Sequence, residues 1–263
     1  MRILTLNTHS LIEKNYDKKL KVFLDVIEKH RPSIIALQEV MQPKFNTELE
    51  FTDGLTICGK IPAKVGNHAL NALLELKSRG LKYHCVWLGI KKAYEIFDEG
   101  LCFFTDKKIE GIDIIDVSKI DRYDNWKTRK ALGIKIDNIW YYNVHLGWWD
   151  DKDSPQQEEI ERINQKIDLS KEAWVMGDFN FPDHEINRGY DMMCEKWFDT
   201  YYLADERDDG ITVEGKIDGW ESRERKRIDY IFTNRKKKIE KSQVIFNGKN
   251  EEVISDHFGI MLN

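Results

Sequence analysis

Six segments of this chain end an apolar run in a residue able to hold a cation or carry a proton. They are Leu-Thr-Leu-Asn7, Ala-Leu-Gln-Glu39, Tyr-Asn-Val-His145, Val-Met-Gly-Asp178-Phe-Asn180, Arg-Ile-Asp229 and Ser-Asp256-His257. A single polar residue at a strand end is ordinarily solvated surface. Six of them, mostly carboxylates and with two histidines, fit strands that deliver their ends to a common mouth. Such a mouth is rich in hard oxygen donors and free of cysteine, which suits Mg2+, with Mn2+ as a substitute, rather than Zn2+. A histidine bonded to a carboxylate is held in one tautomer and favours the imidazolium. The chemistry implied is metal-assisted and acid–base.

The elements that must position these residues are legible in the hydrophobic periods. Arg2–Asn7 reads as a strand, and Asp17 to His30 as a helix with Leu20, Phe23, Leu24 and Ile27 at helical spacing, stopped by Arg31-Pro32. Ser33–Glu39 is then an apolar strand ending in a carboxylate, and Asn67 to Arg79 a second helix. Strands follow over Tyr83–Ile90, Gly100–Thr105, Ile109–Val117, Ala131–Ile136 and Ile139–Leu146, with Asp137-Asn138 a two-residue hairpin signal. A helix starts at Pro155, Ala173–Gly177 is a strand, and Arg188–Lys196 is a short helix. Strands Arg227–Phe232, Val244–Phe246 and Phe258–Leu262 finish the chain. Many strands with a few interspersed helices predict an α+β fold, two sheets packed face to face with helices outside. With no repeat and no linker in the sequence, residues 1–263 read as one domain.

Composition narrows the function classes. With 12 Phe, 10 Tyr and 8 Trp the chain can build a real core, so wholesale disorder is excluded. The longest apolar runs, such as Ile34 to Leu37, are far too short to span a bilayer. A net charge of −5 gives no basic footprint for tight duplex binding. The N-terminus runs at once into a strand pattern with no signal-like segment, so the expected compartment is the cytoplasm. The four cysteines are scattered without metal-binding spacing, and are expected to be buried small apolar residues.

Taken in order, Leu6-Asn7-Thr8, Leu37-Gln38-Glu39-Val40, Val144-His145-Leu146, Gly177-Asp178-Phe179-Asn180, Arg227-Ile228-Asp229-Tyr230 and Ser255-Asp256-His257-Phe258 resemble the motifs of the endonuclease/exonuclease/phosphatase superfamily. That superfamily includes pancreatic deoxyribonuclease, apurinic-site endonucleases, neutral sphingomyelinases and inositol-polyphosphate 5-phosphatases. The resemblance runs from residue 7 to 257. It implies a deoxyribonuclease I-like, four-layer α/β/β/α sandwich of two mainly antiparallel sheets, and a metal-dependent hydrolase of phosphate esters. It further implies that Glu39 binds the metal with Asn7 beside it, and that Asp256 is a second metal-side carboxylate. Asp178 matches the residue that activates the attacking water, and Asn180 the amide contacting phosphate and metal. His257 matches the histidine that stabilises the transition-state charge, with Asp229 orienting it, and His145 a second histidine facing the phosphate. Phosphate-ester hydrolysis needs a cation, a positioned water and a proton source, which this set supplies. Glu99, preceding a strand expected to neighbour that of His145, is the candidate partner of His145.

Substrate choice belongs to loops, and three are candidates. Trp148 and Trp149 directly follow a catalytic-type histidine, and both cannot point inward, so at least one is expected to wall the mouth. The polar stretch 208–220, ending in Trp220, is either a solvated loop or a flap over the substrate. Arg129, after Asn125-Trp126-Lys127-Thr128, could hold a further anionic group; Arg188 is a weaker candidate, and the run 235–238 reads as a far-end turn. The acids Asp150, Asp151, Asp153, Glu206, Asp208 and Asp209 should repel a polyanion, favouring a small phosphorylated molecule over nucleic acid. The segments Asp98-Glu-Gly-Leu, His145-Leu-Gly-Trp-Trp and Gly215-Lys-Ile-Asp-Gly-Trp are similar to a bacterial subgroup containing maltose 6′-phosphate phosphatases, which implies a sugar phosphate. Phe97 departs from the tyrosine expected there, removing one hydroxyl from the phosphate. Two other readings stay open: a nuclease or other phosphodiesterase, and a catalytically silent carbohydrate-binding relative.

Overall fold

The computed structural model describes residues 1–215, 217 and 224–263. Among these residues fourteen strands, numbered along the chain, form two sheets. The first runs in the order β11 (Ala204–Arg207), β13 (Ile239–Ile245), β14 (Gly259–Leu262), β1 (Ile3–Asn7), β2 (Ile34–Pro43), β5 (Phe97–Thr105), β4 (His84–Ala93) and β3 (Leu55–Cys58). The second runs β10 (Phe198–Asp199), β12 (Asp229–Thr233), β9 (Ala173–Asp178), β8 (Ile139–His145), β7 (Lys130–Ile136) and β6 (Gly111–Asp116). Among the described residues eight of the twelve strand pairings are antiparallel, as expected of a mainly antiparallel sandwich.

The layers follow from side-chain alternation, which sends successive residues of a strand to opposite faces. Leu4, Leu6, Ile35 and Leu37 pack outward against Phe23 and Ile27 of α1 (Tyr16–His30) and Leu70 and Leu73 of α2 (His68–Ser78). Their strand neighbours Ile3, Ile34 and Ala36 face the other way and meet Leu132, Ile134, Trp174 and Met176 of the second sheet. That sheet's outer face, with Val144, Val175 and Phe232, is covered by Ile160 and Ile163 of α3 (Gln156–Lys166) and Met193 of α4 (Gly189–Cys194). Three apolar clusters therefore make four layers, α/β/β/α. None of the helices among the described residues is long and apolar enough to cross a membrane.

The expected elements are present with shifted ends. The Asp137-Asn138 turn between β7 and β8 has φ of 49° and 63°, the left-handed pair a two-residue hairpin requires. Five short pieces lie outside the sequence reading: a 3-10 turn at Ser10–Ile12, β3, β10, β11 and the single turn α5 (Thr200–Leu203). They carry too few residues to show a period. Cysteine burial also needs correction: Cys85 and Cys102 are buried, but Cys58 is half-buried and Cys194 exposed.

Two bulges shape the mouth of the sandwich. β2 slips register against β5 between Leu37 and Val40, and β4 slips against β5 between Gly89 and Lys91. Both slips flank Gly100, which pairs with Val40 on one side and Gly89 on the other. A side chain at 100 would place its Cβ 2.0 Å from the Leu88 carbonyl oxygen, so only glycine fits between the bulges.

Candidate active site

The register of the strands assembles the polar residues in rows. In the second sheet His145, at the end of β8, sits opposite Asp178 at the end of β9, which sits opposite Asp229 at the start of β12. In the first sheet Asn7 ends β1 opposite Gln38. Glu39 lies in the β2 bulge with φ of 53°, a left-handed conformation that a non-glycine residue rarely adopts and that turns its carboxylate into the mouth. The Asn7 amide ties the sheets together, donating to Glu39 Oε1 (2.9 Å) and to Asp178 Oδ2 (3.0 Å). Behind them Gln38 Nε2 donates to Asn143 Oδ1 (2.6 Å), a buried polar link between the sheets.

Asp178 is flanked by both histidines. Its Oδ2 lies 3.6 Å from His145 Nε2 and 3.7 Å from His257 Nε2. His257 Nδ1 is 2.9 Å from Asp229 Oδ2, so the dyad expected of those two residues is formed. The Thr212 hydroxyl accepts from the Asp229 backbone N–H, fixing that strand end (3.2 Å). Asn180, also at positive φ, donates its backbone N–H to Asp178 Oδ1 and its side-chain amide to the Leu146 carbonyl.

The electrostatics separate the two histidines. Burial disfavours charge on His257, but Asp229 and Asp178 outweigh it and hold the imidazole well above its ordinary pKa. His145 is held well below, by burial and then by Arg129 and Lys91, so it stays neutral. Burial, with Glu99 and Asp256 adding repulsion, pushes Glu39 up to about 7. Burial pushes Asp178 up to about 6, although His257 opposes the rise. Crowded carboxylates are what a hard divalent ion relieves, and Glu39 and Asp256, which repel one another, offer oxygen ligands to one, with Asn7 hydrogen-bonded to Glu39. Among the described residues two groups have their ligand atoms within 4.8 Å of one another: His9 with Glu13 and Asp256, and Asp178 with Asp229 and His257.

These groups surround a cavity of about 360 Å3. Glu39, Glu99, Arg129, His145, Trp148, Asp178, Asn180, Asp256 and His257 line it, while Asn7 and Asp229 act from behind. Two expectations are corrected, and the tryptophan pair is narrowed to Trp148. Glu99 is not hydrogen-bonded to His145: the gap to Nδ1 is 4.0 Å, that nitrogen has no partner among the described residues, and Glu99 pairs instead with Lys91 (3.3 Å). Trp149 is turned away, its ring 5.9 Å from the Arg188 guanidinium. Arg188 is bound by Asp150 (3.1 Å) and Glu185 (3.2 Å) and does not reach the cavity. Trp220 lies outside the described residues, although Ile217 of the same stretch lines the cavity.

Sequence reasoning missed Lys91, Tyr94 and His9, which also line the cavity, and passed over Trp126. The acidic loops carry cations of their own. Lys127 binds Asp151 (2.9 Å) and Asp153 (2.6 Å), and Arg225 binds Asp209 (2.5 Å), so part of that negative field is answered locally.

A profile of the endonuclease/exonuclease/phosphatase family matches residues 4–257. Among solved structures, a family protein from Leptotrichia buccalis is 30% identical with a TM-score of 0.89, over 100% of this chain and 98% of that one. A mannosyl-6-phosphatase from Bacteroides thetaiotaomicron is 16% identical (TM-score 0.67, 100% and 98% covered), and an AP endonuclease from Archaeoglobus fulgidus is also 16% identical (0.64, 100% and 98%). These two likenesses are of fold. No curated protein matches the chain.

Proposed function

The chain belongs to the endonuclease/exonuclease/phosphatase family of phosphoric ester hydrolases, and we propose that it is a Mg2+-dependent phosphatase of a small phosphorylated molecule, with a sugar phosphate favoured. The carrying observation is the cavity: its volume of about 360 Å3 suits a small ligand, and one mouth holds acids, histidines, buried cations and aromatic walls together. Trp126, Trp148 and Tyr94 put aromatic rings in the cavity wall, while the buried Lys91 and Arg129 lie beside His145. The resemblance of fold to a mannosyl-6-phosphatase is in keeping with this choice.

In this reading Asp178 Oδ2 holds the attacking water between the two histidines and accepts its proton. His257, kept as the imidazolium by Asp229, donates to the phosphate oxygens as charge grows on them and supplies the proton that the departing alkoxide takes up as the ester bond breaks. His145 is neutral and therefore orients the phosphate by hydrogen bonding rather than by charge, with Asn180 contacting the same group. Glu39 and Asp256 would hold Mg2+, with Mn2+ as a substitute, and the ion would supply Lewis-acid neutralisation of the phosphate. Residues 1–263 act as one unit here, since both sheets contribute to the mouth. Four unpaired cysteines accord with a cytoplasmic setting.

A second reading, nucleic-acid cleavage, is favoured by the paired acids of these loops, which lessen the repulsion their sequence suggested. The test is parallel hydrolysis of hexose and disaccharide phosphates, a generic phosphodiester and supercoiled plasmid, with Mg2+ and with chelator, using Glu39→Ala as control. Phosphate release from a sugar phosphate, lost with chelator and in the variant, supports the proposal. Plasmid nicking without phosphate release selects the nuclease. Sugar binding without turnover would mark a silent relative.

A further inference from the structure

Two cations are buried side by side in the cavity wall with too few anionic partners. Lys91 and Arg129 are 5% and 6% exposed. Lys91 Nζ donates to the Trp126 carbonyl (2.8 Å) and pairs with Glu99 (3.3 Å), which leaves one of its three donors. The Arg129 guanidinium has no hydrogen bond or ion pair with any described residue, and its Nε is buried without a partner. The buried Glu159 carboxylate offsets its charge from a distance, but is itself bonded to the Gly147 N–H (2.7 Å) and the Ser154 hydroxyl (3.1 Å). An unmatched buried guanidinium beside a buried ammonium is destabilising unless an anion completes it.

The position shows which anion. Both cations act on His145, Arg129 stands just before β7 on the side of β8 away from β12 and its Asp229, and the β4 bulge puts Lys91 level with Glu99. We propose that Lys91 and Arg129 form a cradle for the extra unesterified oxygen and extra negative charge of a phosphate monoester, selecting monoesters over diesters. A terminal phosphate carries close to two charges and three acceptor oxygens at neutral pH, whereas a diester carries one charge and fills that oxygen's place with a second ester arm. The arm would bring an alkyl group against two buried cations and leave them unanswered. This deepens the phosphatase reading and rests on it for the reaction, though not for the anion site.

The experiment compares kcat/KM for an aryl phosphate with that for the matching aryl methyl phosphodiester, which shares its leaving group. Wild-type protein should favour the monoester, and Lys91→Met and Arg129→Gln should each lower the monoester-to-diester ratio by about 10- to 100-fold, the scale of one charge-assisted hydrogen bond. Lys91→Arg should keep most of it. Arg129→Gln removes a group with no bonding partner among the described residues, so it should fold even if Lys91→Met does not, and melting temperatures check both. Calorimetric titration with inorganic phosphate, which needs no turnover, should show an affinity loss of similar size in the same variants. A ratio and a phosphate affinity unchanged in both variants overturn the cradle. So does a wild-type preference for the diester. Absence of any ester hydrolysis by wild type, with phosphate binding weakened in the variants, would sink the phosphatase reading and leave the cradle standing.

Discussion

Replacing Glu39 by glutamine should stabilise the metal-free protein while destroying its response to metal. The side chain is crowded by Glu99 and Asp256, and burial with that repulsion raises its pKa from 4.5 to about 7. At about 1.4 kcal/mol per pH unit, the ionised carboxylate costs at most about 3 kcal/mol of folding stability. The sign is set by the protonated form. Below the unfolded value near 4.5 the group is neutral in both states and costs nothing. As pH rises toward 7 the unfolded chain ionises first, and the folded state loses stability until both are charged. Glu39→Gln has no such charge, and can still accept the Asn7 amide through its carbonyl oxygen. In chelator at pH 7.5 the variant should therefore unfold at higher denaturant concentration than wild type, and the difference should vanish by about pH 4.5. With Mg2+ at about 100 times its dissociation constant, wild type should gain about 2.7 kcal/mol and the variant almost nothing. Denaturant titrations at both pH values, with and without Mg2+, check all four corners. A variant less stable than wild type in chelator, or equally responsive to Mg2+, would refute the assignment of Glu39 as a strained metal ligand.

Three other outcomes are expected from the same geometry. Asp229→Asn should lower kcat about 100-fold or more, and the alkaline fall in its pH profile should move to lower pH, because His257 loses the carboxylate that keeps it charged. Trp148→Ala should raise KM for a sugar phosphate several-fold, while Arg188→Ala, which lies outside the cavity, leaves steady-state constants within about twofold. Arg227→Met should cost about 3–5 kcal/mol in denaturant unfolding, since it strips the buried Asp199 (2.6 Å) and the nearby Asp183 (3.0 Å) of their cation.

What could be read from the sequence divides along a physical line. Asn7, His145, Asp178 and Asp229 were legible because each ends or begins a strand whose period is strict, so its place at the mouth follows from the strand. Lys91 was not. Continuing the alternation of Val86 and Leu88, which face the second sheet, would send residue 91 out toward the helices with Cys85 and Trp87. The bulge after Gly89 reverses that, and only the paired strand reveals a bulge. The glycine pair 89 and 100 was the available signal, since two glycines facing across strands mark close backbone approach. Glu99 was placed in the right wall with the wrong neighbour for the same reason: its partner is set by the slipped register. Arg129 and Arg188 looked alike in sequence, each a cation beyond a motif. Nearby acids decide between them, because Asp150 and Glu185 capture Arg188 while Arg129 meets none within bonding distance.

The central claim is that a water held at Asp178 attacks phosphorus and expels an alcohol. Hydrolysis of a sugar phosphate in 18O-labelled water, followed by mass spectrometry of both products, tests it directly. One labelled oxygen is expected in each released phosphate and none in the sugar, with the rate collapsing in Asp178→Asn. Label in the sugar hydroxyl, or unchanged turnover in that variant, would contradict it.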